Sequence, residues 1–197
     1  MRSSLYLSRR SLSQRALQAM GVVTFASTGA ACAGMTGMGM ASSRGSMAPD
    51  IVSGDWDEIL QAEHRAVDQM FVEMMAPSAT AARRADLSAM VKDALSQHAL
   101  REENVVYPAL RRFGVEQEAR ELFVEHADMK TALAVITTQP PTDPQWMEAA
   151  NALVTGVRGH VMEEEMEIFP AFKARLSAGD NAMLTELVRM EAAKYTG

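Results

Sequence analysis

The chain holds a single cysteine, Cys32, so no disulfide can close within it and no thiolate cage can hold a metal. Aromatic residues make up 6% of its 197 residues and β-branched runs are scarce, which argues against a β-sheet protein. Lysine and arginine are nowhere concentrated into a basic face, so the electrostatic footprint of a nucleic-acid binder is missing. No apolar run is long and pure enough to span a bilayer; the run from Ala16 to Ala31 is broken by Gln18, Thr24 and glycines. What is abundant from residue 55 onward is Ala, Leu, Met, Glu and Arg, the residues that favour helix. An apolar share of 48% against 22% charged is enough to bury one helical core.

The first 33 residues read as a signal peptide: four arginines and no acid, then a mild apolar run, then small residues. Ser8-Arg9-Arg10-Ser11-Leu12 resembles a twin-arginine export signal, which places the protein in the bacterial cell envelope, in the periplasm. Ala31-Cys32-Ala33 fits signal cleavage, and Ala30-Ala31-Cys32 offers the rival reading of a lipid anchor at Cys32, the one route to a membrane. Loss of the leader leaves 15 basic residues against 25 acidic ones, a poor match for anionic partners such as nucleic acid. Residues 34–52, rich in Gly, Ser and Met without periodicity, read as a flexible tether to a domain over 53–197.

Apolar periodicity and breakers predict four long helices: from Asp55 to about Ala76, about Thr80 to Phe113, about Glu116 to Thr138, and about Pro144 to Leu176. A short last helix follows at about 181–194. Short links imply antiparallel neighbours, so the expected class is all-α, an up-down-up-down four-helix bundle. The bundle is internally repeated. HALREENVVYPAL at 98–110 returns as HVMEEEMEIFPAF at 160–172. His64 to His98 and His126 to His160 both span 34 residues; His64 to His126, His98 to His160, Glu102 to Glu164 and Pro108 to Pro170 all span 62. Each half is a helical hairpin with one His on its first helix and His-x-x-x-Glu on its second.

Residues four apart share a helix face. His64, His98, Glu102, His126, His160 and Glu164 should therefore converge inside the bundle. Buried carboxylates need neutralising charge, and two cations would supply it, each on one histidine pair with the carboxylates bridging. A mixed nitrogen and oxygen set suits iron or manganese better than copper. Lys130, Asp68 and Glu167 are candidates for the surrounding shell, with Asp68 and Lys130 expected to pair across the pocket. Tyr107 and Phe169, nine residues past their histidines, should point about 180° away from any metal. Glu103 should face outward, Pro108 should kink or end its helix, and Lys130 should reach solvent. Met70, Met74, Met75, Met129, Met162 and Met166 are expected as adaptable core.

Glu63-His64, His98-Ala-Leu-Arg-Glu102-Glu103, Glu125-His126 and His160-Val-Met-Glu-Glu164-Glu165 resemble the hemerythrin-like, HHE cation-binding family over about residues 55–176. The resemblance implies two iron ions bridged by carboxylates and an oxo or hydroxo group, with manganese or zinc ranking behind iron. It also implies a small partner: O2, NO or peroxide, with an electron donor of unknown identity. Oxygen-carrying hemerythrins have a second histidine where this chain has Lys130, so the resemblance leaves an open position on each iron. The expected function is sensing, scavenging or carriage of O2 or NO. A di-iron oxidase, peroxidase or NO reductase is the first alternative, and iron storage or metal handling the second.

Overall fold

The structure, a computed structural model, describes residues 54–195. The expected signal peptide (1–33), the tether (34–52) and Cys32 lie outside the described residues. The described chain runs α1 (Trp56–Met75), α2 (Ala81–Arg101), a π-helical turn π1 (Glu102–Val106), α3 (Tyr107–Arg112), α4 (Glu116–Thr138), α5 (Pro144–Glu163), a second π turn π2 (Glu164–Ile168), α6 (Phe169–Lys173) and α7 (Ala178–Ala193). Segments α2-π1-α3 and α5-π2-α6 are each one continuous rod, so the four long helices form the expected bundle and α7 is added beside it. Among the described residues there is no strand, and no helix is long and apolar enough to cross a membrane.

Helix starts follow local chemistry. The Glu58 carboxylate accepts the Asp55 N–H at 2.9 Å before α1. Thr80, Asp143 and Ser177 accept N–H groups of Arg83, Gln145 and Asp180 at 3.2, 2.8 and 3.1 Å. Pro144 takes the first turn of α5, where no N–H is required. Gly114, at φ +81°, makes the reversal between α3 and α4 that a side chain would strain.

Both π turns sit between His-x-x-x-Glu and an aromatic-Pro pair. The Tyr107 N–H donates to the Glu102 carbonyl, and the Phe169 N–H to the Glu164 carbonyl, each five residues back. The wider turn gives the proline ring room where an α turn would press it against the carbonyl four residues earlier. Pro108 therefore does not end the helix, one of the two outcomes expected of it. It stands early in α3, and the rod continues to Arg112.

Two apolar clusters fill the bundle. One gathers Trp56, Leu60, Leu110, Leu122, Phe169, Phe172, Leu184 and Val188; the other gathers Val67, Phe71, Met74, Val91, Leu133, Trp146, Leu153 and Val157. The indole N–H groups are satisfied, Trp56 donating to Asn181 Oδ1 at 3.0 Å and Trp146 to the Ile136 carbonyl at 2.9 Å. Met74 is core as expected, but Met162 and Met166 are exposed, because they lie on the outer face near π2. Helix α7 begins three residues earlier than the sequence suggests, once Ser177 caps it, and puts Leu184 and Val188 into the first cluster.

Since α7 completes that cluster, Leu184→Ala should lower stability by about 2–5 kcal/mol, read as a lower urea midpoint with an unchanged slope. An unmoved midpoint would show that α7 is not part of the cooperative unit.

Candidate metal centre

A polar layer separates the two apolar clusters. Along each rod one histidine sits between core residues: His64 between Leu60 and Val67, His98 between Val91 and Val106, His126 between Leu122 and Leu133, His160 between Val157 and Ile168. All four are buried, and Glu102 and Glu164 are fully so. The sequence-predicted six are thus brought together. His64 Nε2 lies 2.9 Å from His98 Nε2, and His126 Nε2 lies 3.1 Å from His160 Nε2. Glu102 Oε2 stands 3.1 Å from His98 Nε2 and 3.2 Å from His126 Nε2. Glu164 Oε2 stands 3.5 Å from His64 Nε2 and 3.4 Å from His160 Nε2. Each carboxylate therefore reaches both histidine pairs.

The outer nitrogens are held just as regularly. His64 Nδ1 meets Glu165 at 2.8 Å, His98 Nδ1 meets Glu63 at 2.9 Å, His126 Nδ1 meets Glu103 at 2.8 Å, and His160 Nδ1 meets Glu125 at 2.9 Å. A carboxylate only accepts, so each Nδ1 donates its hydrogen outward and each neutral ring turns a bare Nε2 lone pair inward. Two such lone pairs 2.9 or 3.1 Å apart repel unless a cation or a proton sits between them. Glu102 Oε1 and Glu164 Oε2 are also buried with no hydrogen-bond partner. His64, His98, Glu102 and Glu164 form one set of donors that could hold an ion, and Glu102, His126 and His160 a second. The orphaned oxygens and facing lone pairs fit a pair of cations.

The hemerythrin HHE cation-binding domain family matches residues 57–172, from the start of α1 through α6, more than half of the chain. The chain belongs to that family. Its fold resembles the crystal structure of a hemerythrin HHE cation-binding domain-containing protein from Mycobacterium kansasii, with a TM-score of 0.61 and 22% identity, covering 72% of this chain and 87% of that one. A curated relative, described as a DNA nickase of Nostoc sp., is 30% identical over 121 residues, 61% of this chain. The match spans about a third of that relative's length.

Several features of this hemerythrin-like domain depart from sequence expectation. Tyr107 enters the site: its Oη lies 2.9 Å from Glu164 Oε1, 3.0 Å from His126 Nε2, 3.2 Å from Glu102 Oε2 and 3.4 Å from His160 Nε2. Counting α-helical steps puts it opposite His98, but π1 admits an extra residue and swings it by about 100°. Phe169, its repeat counterpart, packs edge-on to Trp56 at 5.0 Å in the apolar cluster. Glu103 does not face outward; it holds His126 and accepts from Lys130 Nζ at 2.5 Å. Lys130 remains half-exposed, as expected of a reaching lysine, while making that bond. Asp68 does not meet Lys130 but pairs at the surface with Arg158 at 2.7 Å. Glu167 is exposed, turned off the site face by π2.

The Glu residues on Nδ1 were not singled out from sequence, although Glu63-His64 and Glu125-His126, and Glu102-Glu103 and Glu164-Glu165, are doublets in the same 62-residue register. Glu63 is further pinned by buried Arg101 at 3.1 Å.

Protons partly occupy the cluster in the cation-free chain. Burial, and then the negative charge of Glu102, hold the Glu164 carboxyl well above the usual carboxylate range. Burial resists ionisation of Glu102, but the His98 charge and hydrogen bonds from His126 and His98 outweigh it, so Glu102 falls well below that range. Burial likewise opposes charging of His98, yet Glu102 and Glu63 push its pKa well up. Burial lowers His64 and His160, keeping those rings neutral. Burial and then the two carboxylates push the Tyr107 phenol up.

Removing Glu63 leaves Arg101 buried without its acid. Glu63→Ala should cost about 3–5 kcal/mol in chemical denaturation of the cation-free protein, and adding Arg101→Met should restore part of it. Equal stability of Glu63→Ala and the parent would contradict this account.

Proposed function

We propose that the cluster holds two cations, iron before manganese or zinc, and that the loaded centre binds O2 or NO at the cell envelope in sensing, scavenging or carriage. The observation that carries the reading is the pair of facing Nε2 contacts, both within reach of Glu102 and Glu164. His64 and His98 would hold one ion, His126 and His160 the other, with Glu102 and Glu164 spanning both. Charge supports the count. Six carboxylates touch the cluster (Glu63, Glu102, Glu103, Glu125, Glu164 and Glu165), against Arg101 and Lys130. Two divalent ions would balance the remaining four negative charges. A donor set of imidazole and carboxylate suits iron and offers nothing to soft copper.

A pair of irons supplies small-ligand binding and electron exchange. The chain's residues supply the surroundings. The Nδ1-bound carboxylates fix each ring and raise its donor strength. The apolar clusters keep bulk water out. A cavity of about 50 Å³ borders all four histidines and is lined by Val67, Leu95, Leu133 and Val157. Its apolar walls suit a diatomic molecule. Lys130 stands at its edge. Export rests on the N-terminal pattern alone. The activity described for the Nostoc relative belongs to a much longer protein, and 25 acidic against 19 basic residues give a DNA backbone little to bind.

Metal analysis of the aerobically purified, iron-loaded protein should give two irons per chain, with NO or O2 shifting its optical spectrum. His98→Ala and His160→Ala should each lose at least one iron. A colourless protein that takes up no iron under anaerobic reconstitution would overturn the reading, and turnover of peroxide or NO would move it to the enzymatic alternative. Because cations displace protons from the imidazoles and Glu164, loading should be complete near pH 7–8 and fall as pH drops toward about 4–5, with proton release on metal addition in weak buffer. Loading independent of pH would exclude imidazole ligation.

A further inference from the structure

We infer that the outer face of α7 is the surface through which two copies of this chain pair, with their α7 helices antiparallel about a two-fold axis at Leu187. Asp180, Met183, Leu187, Met190 and Lys194 follow one another at spacings of 3, 4, 3 and 4 residues. That is the spacing by which a helix keeps one seam turned toward a partner helix. The backbone stays helical through Lys194, so the five positions lie along one stripe about 21 Å long. The three central side chains are apolar and open to solvent, Met183 at 47%, Leu187 at 43% and Met190 at 56% exposure. The bundle does not use them; it takes Leu184 and Val188 from the neighbouring face of α7.

The stripe forms one wall of a groove of about 430 Å³, whose other wall is Val105, Pro108 and Ala109 of π1 and α3. A continuous apolar stripe beside an apolar groove, closed at both ends by charge, is the form of a surface that meets another protein. The charges identify the occupant. Asp180 ends the seam on one side and Lys194 on the other, each seven residues from Leu187. A second α7 turned end for end about Leu187 sets the partner's Lys194 against Asp180 and the partner's Asp180 against Lys194. Leu187 then meets its own copy on the axis, and Met183 lies beside the partner's Met190, as a self-complementary two-fold interface requires. A parallel pairing would set like charge on like. Lys194 donates to Glu191 at 2.5 Å, and its ammonium has two more hydrogens for an acid across the seam. The seam carries one charge of each sign, so two copies of a chain with net charge −6 can meet there without repulsion.

The test is sedimentation equilibrium of the full chain over a range of concentrations. The expected result is a reversible dimer of the 21.4 kDa chain. Leu187→Glu puts two carboxylates face to face on the axis and should raise the dissociation constant by about a hundredfold or more. Because the side chain is exposed, helicity by circular dichroism should not change. Asp180→Lys and Lys194→Asp should each weaken self-association by about tenfold or more, since each sets like charges together at both ends of the seam. Mixed in equal amounts, those two variants should regain nearly the parent's affinity, because every pair across the seam is again opposite in sign. That recovery would also show that neither variant had lost its fold. A parent that stays monomeric at millimolar concentration overturns the inference, as does a dimer that Leu187→Glu leaves intact. Two helical charge variants that do not recover on mixing overturn the antiparallel register.

Discussion

Four imidazoles each give their Nδ1 hydrogen to a carboxylate, and the rest of the centre depends on that exchange. It fixes the tautomer, and the tautomer decides that lone pairs rather than N–H groups converge on the bundle axis. Lone pairs at hydrogen-bonding distance from one another are tolerable only with positive charge between them. The apolar clusters on either side raise the stakes, because they deny the carboxylates and imidazoles any relief from water. Without cations the layer manages with protons, Glu164 staying neutral and His98 taking charge.

The second constraint is the pair of π turns. An α-helix through 98–110 would carry Glu102 inward and Tyr107 outward, and would drive the Pro108 ring into the carbonyl of Asn104. The π turn removes that clash and turns Tyr107 to the same side as Glu102. One local solution to a proline therefore changes which side chains the centre contains. Asn104, within the turn, is gripped by Glu191 of α7 at 2.9 Å. Helix α7 thereby braces the turn as well as closing the first apolar cluster.

Spacing made the bundle and six residues of the centre legible, because helix count, antiparallel order and ligand face all follow from period and repeat. The bounds of α4, Glu116–Thr138, coincide with the apolar pattern and its flanking breakers. Tyr107 was not legible: angular counting assumes 100° per residue, and nothing in the apolar pattern marks where a helix takes a wider turn. The aromatic-Pro pair was the available clue, read there as a break. Glu103 was misplaced for the same reason, sitting inside π1. Asp68 and Lys130 matched only as repeat counterparts. Equivalence in a repeat does not place two residues against each other, and each found a nearer partner in Arg158 and Glu103.

The repeat is most informative where it fails. Positions that supply the four imidazoles, the two central carboxylates or the acids on the Nδ1 atoms are the same in both halves: Glu63 and Glu125, His64 and His126, His98 and His160, Glu102 and Glu164, Glu103 and Glu165. Positions one step further out differ: Arg101 against Glu163, Lys130 against Asp68, Tyr107 against Phe169. The shared set builds a symmetric pair of sites. The differing set places a guanidinium behind His98 through Glu63, an ammonium behind His126 through Glu103, and a phenol at one site alone. Since a partner that grips a carboxylate weakens what that carboxylate lends to its imidazole, donor strength around the centre is graded. His64 and His160, whose acids Glu165 and Glu125 are more open to solvent, differ from His98 and His126. A two-fold scaffold has in this way become a centre whose halves are not interchangeable.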